Sequence, residues 1–161
     1  MITNKKGFAL GILTADCAPV FIYDPDNNLI SAIHVGWKGA YKQIIPKTLK
    51  KFKSEGSNLN DLIAVIGPCI SQRNYEVKKD FLDKFVSKKK TNNKFFNYKN
   101  NKIFFSLSDY IKQNFLNLGI KNIEIIKKDT YLLSNNFFSA RRSTKEKLND
   151  YGRNISVIMI K

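Results

Sequence analysis

The sequence predicts an α+β fold: one domain over residues 1–161, built on a mixed sheet with helices packed against it. Three observations lead there. Short apolar runs end at polar, chemically equipped pairs, as buried strands do when they deliver residues to a sheet edge. Amphipathic stretches at three- and four-residue spacing stand between some of those runs. The first three runs follow one another with only turns between them, so strict strand–helix alternation is missing.

The first strand is Phe8-Ala9-Leu10-Gly11-Ile12-Leu13-Thr14, ending at Asp16-Cys17. Val20-Phe21-Ile22-Tyr23 is a second strand, Asp24-Pro25-Asp26-Asn27-Asn28 a turn, and Leu29 to Val35 a third strand. That hairpin folds His34 back toward Cys17. From Ala40 to about Lys53, Tyr41, Ile44, Ile45, Leu49 and Phe52 mark one amphipathic helix. Leu62–Ile66 is a buried strand running into Gly67-Pro68-Cys69-Ile70. A helix over Val77–Val86, a strand at Ile103–Phe105, and a helix over Leu107–Leu118 closed by Gly119 follow. Strands at Ile123–Ile126 and Ile155–Ile160 complete the set, and Lys88–Lys102 is expected to be a solvated loop.

Composition narrows the function. Apolar residues make up 43% and charged residues 25%, within the range of soluble globular proteins. No apolar run approaches the roughly 20 residues that span a bilayer, and Met1 is followed by ITNKKG rather than an apolar leader. The expected location is cytoplasmic, with no membrane partner. The net charge of +15 is compatible with nucleic acid, but only four residues are Arg (Arg73, Arg141, Arg142, Arg153). Lysines are dispersed through nearly every segment, and bidentate phosphate recognition is chiefly an arginine property. No nucleic-acid partner is expected.

Cys17 and Cys69 are too far apart for a CxxC motif, and a structural disulfide is not expected. Each thiol is either a packed, inert side chain or a reactive one, and its neighbours must decide. The sole histidine, His34, stands in His34-Val35-Gly36-Trp37-Lys38-Gly39 beside the sole tryptophan. Alone it reads as a core histidine. Together with the Cys17 thiol at a strand end it supplies two soft donors suited to zinc or copper, one fewer than a catalytic zinc site usually takes.

Five motifs then occur in order: TADCAPV, HVGWKG, IGPCI with Tyr75-Glu76-Val77, FFSARRS, and Gly152-Arg153 with Ser156-Val157-Ile158. In order and spacing they resemble the YfiH-like, laccase-domain or multicopper polyphenol oxidase family, over essentially the whole chain. The resemblance implies a fold similar to the deamidase domain of cytotoxic necrotizing factors. It also implies purine nucleoside phosphorylase activity on adenosine, inosine, guanosine and methylthioadenosine, with adenosine deaminase activity. Nucleoside and phosphate would be the ligands, and the protein a monomer or weak homo-oligomer.

The same resemblance places a metal at Cys17 and His34. The family's third ligand, a histidine in a Gln-x-His segment, has no counterpart here, so the chain is expected to carry the C-terminal two thirds of the domain. Lys38 stands where the family has Arg, Asp129-Thr130 where many members have Cys-Thr, and Ala140 where an aromatic or His precedes the two arginines. By this reading Cys17, His34 and Asp16 are catalytic, and Lys38, Arg141 and Arg142 contact phosphate or ribose. Asp16 would orient His34 or move a proton, and Cys69 would line the same region or pack inertly. Two rivals remain: a metal-free cysteine hydrolase or amidase using Cys17 and His34, as in peptidoglycan-precursor editing, and a catalytically inactive fragment.

Overall fold

The computed structural model describes residues 1–161 and bears out the mixed α+β architecture. Its main sheet has five strands in the order β1-β4-β3-β5-β9: Ile2–Thr3, Leu29–Val35, Ala18–Asp24, Ile63–Ile66 and Asn122–Ile125. All neighbours are antiparallel except β5 and β9, which are parallel. β2 (Ala9–Thr14) pairs antiparallel with β10 (Asn154–Met159) as a separate ribbon. A small sheet, β6-β8-β7, joins Glu76–Val77, Lys102–Phe105 and Phe96–Lys99.

The β3–β4 hairpin forms because Asp24 organises its own turn. Its carboxylate accepts hydrogen bonds from the backbone N–H groups of Asp26 and Asn27 and from the Asn27 amide. The sheet face carrying Val20, Ile22 and Val35 is wholly buried. It is covered by α2 (Ile44–Ser54), through Ile45, Leu49 and Phe52, and by α4 (Leu107–Leu116), through Leu107, Ile111 and Phe115.

The single helix expected from Ala40 is instead two. α1 (Trp37–Tyr41) stops, Gln43 turns left-handed at φ 59°, and α2 restarts. Pro46 is the reason, since its ring would clash with the carbonyl of Lys42 in a continuous helix, whereas the first turn of a new helix tolerates it.

The expected helix at Val77 begins at Lys79 instead, as α3 (Lys79–Lys88), because Val77 pairs with Ile103 in the small sheet. The Lys88–Lys102 segment is only half the solvated loop expected. Its lysines are exposed, but Phe95 and Phe96 are buried, and Asn92 donates a hydrogen bond to the Phe85 carbonyl. Phe96 packs 4.9 Å from Phe105, and Phe85 lies 4.9 Å from Phe105 and 5.1 Å from Tyr110. Burial of aromatic area outweighs the polar character of the flanking residues.

Candidate active site

Cys17 sits in the corner between β2 and β3, and its setting follows from the hairpin register. Ala18 faces Val35 and Pro19 faces His34 across the strands, so Cys17 falls beside Gly36. The fit is close: a Cβ on Gly36 would stand 2.7 Å from the Cys17 sulfur. Glycine in HVGWKG is therefore required by the thiol. His34 is exposed and Cys17 half-buried.

On its other side Cys17 borders a cavity of about 220 Å³, walled by Trp37, Tyr75, Ile70 and Leu107 and closed by Ala140 and Arg141. His34 does not line it. Burial, and secondly the charge of Asp16, push the Cys17 thiol above its ordinary value. Burial likewise pushes Tyr75 up, and the nearby Cys17 adds to the effect, so its phenol is protonated at neutral pH.

Asp16 organises the site. Its backbone is left-handed, at φ 81°, and its carboxylate accepts hydrogen bonds from Thr130 Oγ1 (2.7 Å), Ser139 Oγ (2.9 Å) and the Arg141 N–H (2.6 Å). Its carbonyl accepts from the Ile70 N–H at 3.0 Å. One residue thus ties the β2–β3 corner to the turn after β5 and to the start of α5 (Ala140–Lys145). Both carboxylate oxygens are thus engaged by donors of the fold, and His34 is not among them.

The two arginines separate. Arg141 reaches the cavity, its guanidinium 5.3 Å from the Tyr75 ring centroid and donating to the Glu76 carbonyl at 2.8 Å. Arg142 turns away and donates to the carbonyls of Thr130 (3.1 Å), Tyr131 (2.7 Å) and Phe137 (2.6 Å). Arg142 thereby ties the segment before α5 to its own helix, with three carbonyls taking up its fork. Lys38 is exposed, stacks 5.6 Å from the Trp37 ring centroid and does not line the cavity.

Cys69 is the more deeply packed thiol of the two. It is 7% exposed, and burial, then the charge of Asp129, push it up to about 12. It faces a neighbouring cavity rather than that of Cys17. Asp129 caps this region, accepting from Ser71 through its N–H (3.1 Å) and its hydroxyl (2.5 Å), from the Asn74 amide (2.7 Å) and from the Tyr131 N–H (2.9 Å).

A zinc or copper ion would find Cys17 and His34 here, but no group of three His, Cys, Asp or Glu side chains in the chain can hold a metal. The residues present therefore do not complete such a site. Sequence reasoning assigned no role to Tyr75 or Trp37 in the cavity, although both lie inside motifs it identified. Their contribution is shape, which has no one-dimensional signature.

Residues 1–161 match the sequence profile of the family described as multi-copper polyphenol oxidoreductase laccase. The chain belongs to that family. It is 38% identical over 144 residues to a purine nucleoside phosphorylase of Rickettsia conorii, covering 88% of this chain and 59% of that protein. It is 35% identical to a purine nucleoside phosphorylase of Rickettsia prowazekii, covering 99% of this chain and 67% of that protein. Among solved structures it resembles the hypothetical protein YfiH of Bacillus licheniformis, with TM-score 0.88 and 33% identity over 99% of this chain and 60% of that one. The chain thus spans between 59% and 67% of the length of these relatives. No helix is long and apolar enough to cross a membrane.

Proposed function

We propose that this chain carries the base- and phosphate-binding part of a purine nucleoside phosphorylase site. The observation that carries the reading is Arg141 at the mouth of an aromatic cavity, its backbone N–H bonded to Asp16 and its guanidinium held by the Glu76 carbonyl and the Tyr75 ring. The names of the Rickettsia relatives support it.

In phosphorolysis a phosphate oxygen bonds to the anomeric carbon of the ribose. The C–N bond breaks, and its electron pair leaves on the purine, which takes up a proton. The transition state is anionic at the phosphate and at the departing base, so it needs a fixed cation and a proton donor there. Arg141 supplies the cation in a preorganised orientation. Trp37 and Tyr75 offer flat apolar surface to a purine, and the protonated Tyr75 hydroxyl is the donor for the leaving base.

Adenosine deamination belongs to the same proposal: water replaces the exocyclic amine, and ammonia departs. Metal dependence would rest on Cys17 and His34 with a third donor from outside the set described above, so no step is assigned to a metal. The metal-free cysteine hydrolase is disfavoured, because a thiol raised by burial is a poor nucleophile and His34 lies outside the cavity.

The test is phosphate-dependent release of adenine from adenosine and hypoxanthine from inosine. Arg141→Gln is expected to raise the phosphate KM about tenfold or more, the loss of one charge-assisted contact. Absence of phosphate-dependent base release by the unaltered protein refutes the reading. Base release left intact by Arg141→Gln removes Arg141 from it.

A further inference from the structure

Next to the Cys17 cavity lies a second, wider groove of about 470 Å³ that shares Trp37, Tyr75 and Arg141 with it. Its far end is formed by α3, which contributes Asp80, Phe81 and Lys84, and Lys78 precedes that helix. The charges do not balance. Arg141, Lys84 and Lys78 face Asp80 and Glu76, and the Glu76 carboxylate is already paired with Lys102 at 2.9 Å. Three cations are left against one carboxylate.

Two of those cations are held in place without being neutralised. The Lys84 ammonium stands 5.4 Å from the Trp37 ring centroid, and the Arg141 guanidinium 5.3 Å from that of Tyr75. The chain's only two ion pairs are Lys102–Glu76 and Arg153–Asp150, so neither Lys84 nor Arg141 has an acidic partner. Phe81 packs 5.1 Å from Trp37 and 6.3 Å from Tyr75, which makes one continuous aromatic floor between the two cations. A cation resting on an aromatic face keeps its hydrogen-bond donors for a ligand, all of them at Lys84 and, at Arg141, those not given to the Glu76 carbonyl.

We propose that this outer groove is a phosphate subsite in which Lys84 acts with Arg141, the shared Trp37–Tyr75 wall joining it to the cavity that takes the nucleoside. This deepens the phosphorylase reading and rests on it for the neighbouring nucleoside. The phosphate is either free inorganic phosphate or the monoester of a nucleoside monophosphate. Lys84 is a binding residue that the motifs did not mark, because it belongs to a helix outside all five.

Trp37 is the only tryptophan, so its fluorescence reports on both chambers without requiring turnover. The experiment titrates the whole protein with inorganic phosphate, with adenosine and with adenosine monophosphate, at ionic strength matched with chloride. Phosphate is expected to give a saturable change. Lys84→Gln is expected to weaken it about tenfold, the loss of one charge-assisted contact, and Lys84→Arg to restore it.

No saturable response to phosphate, or the same affinity in Lys84→Gln, overturns the proposal. Adenosine binding is expected to be unchanged in Lys84→Gln. Failure of adenosine to bind the unaltered protein strikes the phosphorylase reading, whereas the phosphate titration stands or falls separately. Adenosine monophosphate binding more tightly than either phosphate or adenosine supports the monoester as the source, and phosphate binding together with adenosine while the monophosphate binds no more tightly than phosphate supports free phosphate.

Discussion

Replacing Asp16 tests how far its hydrogen bonds hold the β2–β3 corner to the rest of the fold. In Asp16→Ala, the hydroxyls of Thr130 and Ser139, each 1% exposed, and the Arg141 N–H lose their acceptor together. An unsatisfied buried donor costs about 1–3 kcal/mol, and hydroxyls recover part of that by rotating, so the loss is about 3–5 kcal/mol. Asp16→Asn keeps one oxygen for Ser139 and Arg141 and turns its amide toward Thr130, whose hydroxyl can accept. It loses charge assistance but no partner, and is expected to cost about 1–2 kcal/mol. Urea denaturation measures both as shifts in midpoint at constant m. The alanine variant is expected to be the less stable by about 2 kcal/mol, a large share of a typical 5–15 kcal/mol fold. Equal losses in the two variants, or losses below about 0.5 kcal/mol in both, refute the positioning argument.

Three further outcomes are expected. Gly36→Ala places a methyl 2.7 Å from the Cys17 sulfur. It is expected to destabilise by about 1–3 kcal/mol and to change the alkylation rate of Cys17, and unaltered stability and reactivity would show that the thiol has room to move. Arg142→Ala removes bonds to three carbonyls and is expected to cost about 2–4 kcal/mol in chemical denaturation, against about 1 kcal/mol for Arg141→Ala. The reverse order would exchange their assigned roles.

The last concerns Asp129. Burial works to raise its carboxyl, but the bonds from Ser71, Asn74 and the Tyr131 N–H outweigh it and hold the group below the ordinary aspartate value. A depressed folded-state value gives stability that is present above the unfolded pKa, near 4, and lost as pH falls through the folded value. Asp129→Asn is therefore expected to flatten the fall in midpoint below about pH 4, and an unchanged acid profile would count against this network.

The sheet was legible because apolar runs and turn residues are local signals. Ala9–Thr14, Leu29–Val35, Ile63–Ile66, Asn122–Ile125 and Asn154–Met159 all lie where hydrophobic runs predicted strands. Reading failed where a residue's state depended on distant partners. Phe95 and Phe96 lie among lysines and asparagines, and only the arrival of Tyr110 against the first and of Phe85 and Phe105 against the second makes their burial favourable.

What the sequence determined by itself is the family, the mixed sheet and the hairpin that aligns Cys17 with the HVGWKG turn, because register and turn chemistry act over a few residues. Only the tertiary structure decided which polar groups remain available. Arg141 and Arg142 are adjacent and chemically identical, yet one faces a cavity and the other is taken up by three carbonyls. Asp16 is likewise engaged by Thr130 and Ser139 from more than 110 positions away. Hydrogen-bond donors and acceptors are consumed by whatever the fold brings near them, and no spacing along the chain records that.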